Sequence, residues 1–193
     1  MSDNFSNMND LLHREADDIL YNKELLSTLK KFGQPHITGS YALNLMTWRD
    51  LDIYLETENI NEEIFFKLGA IIQNQLDPVK MSYRNERKDQ TKGLPAGLYW
   101  GVYLGNERKG AWKIDIWAIE ADECRQRLQF CNALAERITP SAKQIIFSIK
   151  SQCWQDPEYR RSYTSLDIYE AVLDKAVVSI EEFKKYLKED RKE

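Results

Sequence analysis

The segment Arg49-Asp50-Leu51-Asp52-Ile53-Tyr54-Leu55-Glu56 constrains this chain more than any other stretch. Its residues alternate strictly between apolar and polar. A β-strand would therefore place Leu51, Ile53 and Leu55 on one face and Asp50, Asp52 and Tyr54 on the other, because successive side chains leave the pleat on opposite sides. One face calls for a hydrophobic layer, and the other holds two carboxylates within a few ångströms of each other. Like charges that close need a counter-charge. A hard dication supplies it: Mg²⁺ prefers oxygen ligands and takes a few carboxylates, with water and substrate phosphates completing its shell.

A third acid, Asp115, lies between Ile114 and Ile116 on the polar face of an apolar strand, where a neighbouring strand would bring it beside the other two. Three acids can hold two metal ions, which would activate an attacking hydroxyl and stabilise the leaving pyrophosphate of a nucleoside triphosphate. Gly39-Ser40 adds a phosphate contact. The glycine lets the backbone approach an anion closely, and the serine hydroxyl and the amides of the following helix start can donate to it. His13 and His36 are too far apart in pattern to suggest a metal pair.

The rest of the chain reads as alternating elements. Leu11, Leu12, Ala16, Ile19 and Leu20, then Leu25, Leu26 and Leu29, recur at helical spacing up to Gly33. A short strand at Ile37-Thr38 precedes the Gly-Ser turn, and Ala42, Leu43, Leu45 and Met46 suit a short helix. Asn59 with Glu62 reads as a cap for a helix carrying Ile64, Phe65, Leu68, Ile71 and Ile72 to about residue 76. Strand residues return at 79–83, residues 84–95 form a polar surface loop that serves as a candidate flap, and 98–104 and 111–119 form two aromatic-rich strands around a hairpin loop. Trp100, Tyr103, Trp112 and Trp117 on them read either as a stacking surface or as cross-strand packing. Four helices follow, at about 122–138, 140–154, 163–176 and 180–190, the last behind a Ser179/Glu182 capping box. The fold class is α/β (α+β): a mixed sheet with flanking helices over residues 1–120, then a C-terminal helical lobe over 121–193 that closes a cleft.

Composition narrows the function. Lys and Arg number 27 against 31 Asp and Glu, a net charge of −4, so no nucleic-acid partner is expected, nor an anionic membrane. Cys124, Cys131 and Cys153 form no C-x-x-C pair, which argues against disulfides and against a cysteine zinc site. The N-terminus lacks a basic region followed by an apolar one, and no apolar run is long enough to span a bilayer, so the cytoplasm is the expected location.

Gly39-Ser40, nine intervening residues, Asp50-Leu51-Asp52-Ile53, and later Ile114-Asp115-Ile116 resemble the signature of the polymerase-β-like nucleotidyltransferase superfamily. The resemblance covers roughly residues 36–118 and implies a small mixed sheet with helices on one face and a cleft toward a helical lobe. It also implies that Asp50, Asp52 and Asp115 are catalytic metal ligands for two Mg²⁺ ions, and that Gly39 and Ser40 contact the triphosphate of ATP or another nucleotide. Ala42-Leu43-Asn44-Leu45 and Arg49 look more like the small aminoglycoside and lincosamide enzymes than the antitoxin-type members. The expected reaction moves a nucleoside monophosphate to a hydroxyl of a small molecule, an antibiotic among the options. The alternatives are an antitoxin-type enzyme acting on a protein partner, and a non-catalytic nucleotide-binding module. Glu120, Asp122, Asp167 and Glu170 are open candidates for a general base, and Lys113, Lys143 and Lys150 for phosphate contacts.

Overall fold

The computed structural model describes residues 2–58 and 60–189 of the chain. Helix α1 (Ser2–Asp17) runs through a π-helical turn (Asp18–Asn22) into the short α2 (Leu25–Leu29). Then come β1 (Gln34–Thr38), α3 (Gly39–Ala42), β2 (Asp50–Glu56), α4 (Glu62–Leu76), β3 (Lys80–Asn85), β4 (Leu98–Tyr103) and β5 (Lys113–Ile119). Four helices follow: α5 (Ala121–Arg137), α6 (Pro140–Cys153), α7 (Ser165–Asp174) and α8 (Ile180–Glu189). The strands make one mixed sheet in the order β1-β2-β5-β4-β3, in which only β2 and β5 run parallel. No helix among the described residues is long and apolar enough to cross a membrane.

The alternation in β2 does what its pattern dictates. Leu51, Ile53 and Leu55 are fully buried against Leu12, Leu20, Leu25, Leu29, Phe65 and Leu68 of α1, α2, α4 and the intervening turn. The opposite face is not left to a cleft alone. Toward the ends of β2 and β5, Tyr54, Tyr99, Trp117 and Ile119 pack against Cys124 and Leu128 of α5, so helices cover parts of both faces rather than one. A second core joins α5 through α8 around Ile146, Phe147, Ile168, Tyr169 and Phe183, and it recruits Leu43, Leu45 and Trp48 from the segment between α3 and β2.

That recruitment explains why the short helix differs from its expected form. Its apolar residues do not share one helical face: Leu43 and Leu45 enter the second core, while Met46 enters the first. The helix therefore stops after one turn, and Asn44 takes a left-handed conformation with φ +57°. The expected Asn59 cap lies outside the described residues; Asn61 caps α4, its side chain accepting from the Ile64 amide at 2.9 Å. The polar loop after β3 is tied down. Glu86 is buried, and its carboxylate accepts from the Thr91 amide at 2.6 Å, while Arg87 donates to the Ile60 carbonyl at 2.8 Å.

Candidate active site

Strand pairing brings the three acids together. Asp52 sits opposite Asp115 across the parallel β2–β5 pair and opposite Thr38 across the antiparallel β1–β2 pair. Side chains of paired residues share a face of the sheet, so Asp50, Asp52 and Asp115 occupy one patch. Because Thr38 ends β1 beside Asp52, the turn that follows it starts against that carboxylate. Gly39 has φ +61°, and a Cβ there would lie 2.1 Å from Asp52 Oδ2. Both the left-handed backbone and the contact demand glycine.

The patch is charged and largely buried, with the Asp50 and Asp115 side chains 17% and 14% exposed. Burial and the neighbouring charges of Asp50 and Asp115 push the Asp52 carboxyl up to about 7. Burial also raises Asp115, although Lys113 opposes the shift. The Lys113 ammonium contacts one Asp115 oxygen, and the Tyr99 hydroxyl donates to the other at 2.6 Å. The Tyr99 hydroxyl is held well above its ordinary range, by burial and then by the Asp115 charge. Arg160 reaches in from the α6–α7 connection to Asp50 Oδ2 at 3.1 Å, its own φ being +66°. Burial works against the charges of Lys113 and Arg160, yet the acids more than offset it and hold both above their ordinary values. Asp50 Oδ1 is buried with no hydrogen-bond partner.

Beside this patch, Ser40 belongs to a different arrangement. Lys150 of α6 is fully buried, and its Nζ donates to Ser40 Oγ at 2.7 Å, to the Leu45 carbonyl at 2.8 Å and to the Tyr169 hydroxyl at 3.0 Å. The same Nζ lies 4.8 Å from the Trp48 ring centre. Of the lysines weighed from sequence, Lys150 reaches the Gly-Ser turn and Lys113 reaches the acids. Lys143 instead lies over the Phe147 ring.

Several candidates are committed elsewhere. Asp167 is the reciprocal member of the α7 capping box, accepting from the Thr164 amide at 2.6 Å. Asp122 is 86% exposed and pairs with Arg125, and Glu170 is exposed. Glu120 follows the far end of β5 from Asp115 and faces Arg87 at 3.6 Å. Trp100 stacks on Phe65 and donates to its carbonyl, and Trp112 donates to Glu15, so both are packing residues. Arg49 is held by Glu15 at 2.5 and 2.7 Å, and Asn44 accepts from the buried Asn9, so these two residues of the subfamily pattern have structural partners. Sequence reasoning missed Arg160; its only signal was a basic residue among the aromatic residues of an irregular connection.

No protein-family model matches the chain, and no curated protein matches it in sequence. Solved structures do match. One is Cid1, described for its RNA terminal uridylyl transferase activity, with a TM-score of 0.53 and 12% identity over 89% of this chain and 52% of that one. Another is a cytoplasmic RNA terminal U-transferase, with a TM-score of 0.49 and 13% identity over 88% and 51% of the two chains. The present chain thus spans about half the length of the solved chains it matches. The likeness to Cid1 corrects the expectation that nucleic acid is no partner: a protein with this fold acts on RNA. The physical reason is that net charge counts the whole surface, whereas the acceptor of a transferase meets only the walls of one cleft. The chain therefore shares the fold of Cid1, a five-stranded mixed sheet with flanking helices, and its three strand acids cluster on one face of that sheet.

Proposed function

We propose that this chain is a Mg²⁺-dependent nucleotidyltransferase, moving a nucleoside monophosphate from a nucleoside triphosphate to a hydroxyl. The observation that carries this reading is the meeting of Asp50, Asp52 and Asp115 on one face, with the Gly39-Ser40 turn pressed against Asp52. The donor set fits the ion, since it is all oxygen and Asp50 Oδ1 is a buried acceptor with no partner. Asp50, Asp52 and Asp115 would hold it. When bound, Mg²⁺ supplies positive charge to the triphosphate and makes the acceptor hydroxyl more acidic.

The chain's own residues do the rest. Ser40 Oγ accepts from Lys150 and lies 3.4 Å from the Tyr169 hydroxyl; with Tyr169 as the donor of that pair, the Ser40 proton is left for a phosphate oxygen. Gly39 keeps the backbone clear of Asp52. Lys113 and Arg160 balance part of the acid charge and stand where they can turn to phosphate oxygens. In this reading residues 1–120 hold nucleotide and metal, and residues 121–193 supply the acceptor wall, while the 84–95 loop, tied to Glu120 through Arg87, lies toward the opposite end of β5 from Asp115.

One acceptor, motivated only by the sequence resemblance of Ala42-Leu43-Asn44-Leu45 and Arg49, is a hydroxylated small molecule, an antibiotic included. A terminal RNA hydroxyl is the second reading, favoured by the likeness to Cid1 across 89% of this chain. The test is incubation with each labelled nucleoside triphosphate, Mg²⁺ and three acceptor sets: hydroxylated antibiotics and sugars, RNA with a free 3′ end, and candidate protein partners. Pyrophosphate release with label on one acceptor class supports the transferase and names the class. Nucleotide binding with no release in any arm would overturn turnover and leave a regulatory module.

A further inference from the structure

At the other end of β2 from the acids, three different metal-ligating side chains meet. Glu56 closes β2, His36 lies in the adjacent β1, and Cys124 is in the first turn of α5. His36 Nε2 stands 2.8 Å from Glu56 Oε2, and one ligand atom from each of His36, Glu56 and Cys124 lies within 4.8 Å of the other two. Cys124 is fully buried, whereas the His36 and Glu56 side chains keep 27% and 35% of their surface exposed. The sulfur forms the floor, and the nitrogen and oxygen form a rim open to solvent.

Contrary to the expectation drawn from the lack of a C-x-x-C pair, we infer that His36, Glu56 and Cys124, brought together from β1, β2 and α5 rather than by local spacing, form a binding site for a thiophilic divalent transition metal, Zn²⁺ being the best fit. Imidazole nitrogen, thiolate sulfur and carboxylate oxygen are its three protein ligand types, and the open side leaves room for water as the fourth ligand. Mg²⁺ avoids sulfur and demands oxygen, so the donor set separates this site from the acids. A tetrahedral ion with bonds of about 2.0–2.3 Å needs ligands roughly 3.3–3.7 Å apart, so the widest separation, at most 4.8 Å, must close by up to about 1 Å and the 2.8 Å His36–Glu56 contact must open by about 0.5 Å. The partly exposed His36 and Glu56 side chains have the freedom to do so. Glu56 is four residues beyond Asp52 on a straight strand, about 13 Å away, so this ion would not be one of those at the acids. Its effect would be mechanical: it ties the first turn of α5, where the helical half begins, to β1 and β2. The inference stands independently of the nucleotidyl-transfer reading.

Co²⁺ is the probe, because a cobalt–thiolate bond gives a charge-transfer band in the near ultraviolet. The reduced full-length protein is titrated with Co²⁺ in excess Mg²⁺, then with Zn²⁺. The expected result is one Co²⁺ per chain with that band, displaced by Zn²⁺, and a higher melting temperature with Zn²⁺. Cys124→Ser should abolish the band while Cys131→Ser and Cys153→Ser keep it, and His36→Ala should weaken Co²⁺ binding at least tenfold. Absence of the band, its survival in Cys124→Ser, or its loss in Cys131→Ser or Cys153→Ser overturns the site. Should Cys124→Ser fail to fold, His36→Ala decides, since its rim position is not part of the core: unchanged Co²⁺ affinity in the folded variant overturns the proposal.

Discussion

The Gly39-Ser40 turn stands between two polar clusters built in opposite ways. On the Gly39 side, three carboxylates crowd together, Asp52 is forced up to about 7, and Asp50 Oδ1 has no partner. On the Ser40 side, Lys150 is buried more deeply than any of those acids need be, yet each of its three N–H groups has an acceptor. Satisfied buried polar groups specify a packing arrangement, whereas unsatisfied ones store cost until a ligand relieves it. In the proposed reading the acid side is therefore the binding side. The lysine side is scaffold that holds the turn and joins α6 and α7 to it.

That contrast is open to attack by substitution. If Asp52 is a metal ligand as proposed, Asp52→Asn should cause the largest effect, a loss of turnover on the order of 10³-fold, because several kcal/mol of charge stabilisation would depend on it. The same change removes a destabilising charge, so its melting temperature should equal or exceed that of the wild type. A variant that lost stability instead would break the comparison. Lys150→Met should do the reverse. It leaves the Leu45 carbonyl and the Ser40 and Tyr169 hydroxyls short of a donor, and denaturant unfolding should show a loss of about 2 kcal/mol. Its turnover should fall less than that of Asp52→Asn.

Asp167→Ala is a smaller perturbation, about 1 kcal/mol from the lost α7 capping box, with kcat unchanged. A fall in kcat at unchanged stability would return Asp167 to the list of bases. The smallest signal is protonic. The Asp52 carboxyl is raised above its unfolded value of 3.8, so the folded chain holds the extra proton between about 4 and about 7. This group's stability contribution is full below 3.8 and is lost as pH rises through about 7. Mg²⁺ binding near neutral pH should accordingly release protons into a weakly buffered solution, and Asp52→Asn should release fewer.

Much of this was legible in the chain itself, for a local reason. Strand alternation at 50–56, the left-handed glycine before Ser40 and the caps of the later helices depend on neighbours a few residues away. The expected helices at 122–138 and 140–154 accordingly match α5 and α6 to within a residue or two. Where apolar residues had a choice of partners, locality failed. Leu43 and Met46 look like one helical face, but two separate cores claim them. Glu120 and Asp167 look available in a list of acids, but one lies beyond the wrong end of β5 and the other is bound in a cap.

The sequence by itself determined that one strand would bury an aliphatic face and present two acids, that a glycine-serine turn would precede it, and that a third acid would lie on another strand. Those are consequences of the period of a β-strand and the conformational range of glycine. Only the tertiary structure decided that Asp115 pairs with Asp52, that Lys150 and Arg160 arrive from the helical half, and that Cys124 meets His36 and Glu56. The physical reason is sequence distance: Lys150 and Ser40 are 110 residues apart, and no local pattern encodes which buried donor will meet which acceptor. Strand order and helix packing choose that partner by satisfying many groups at once.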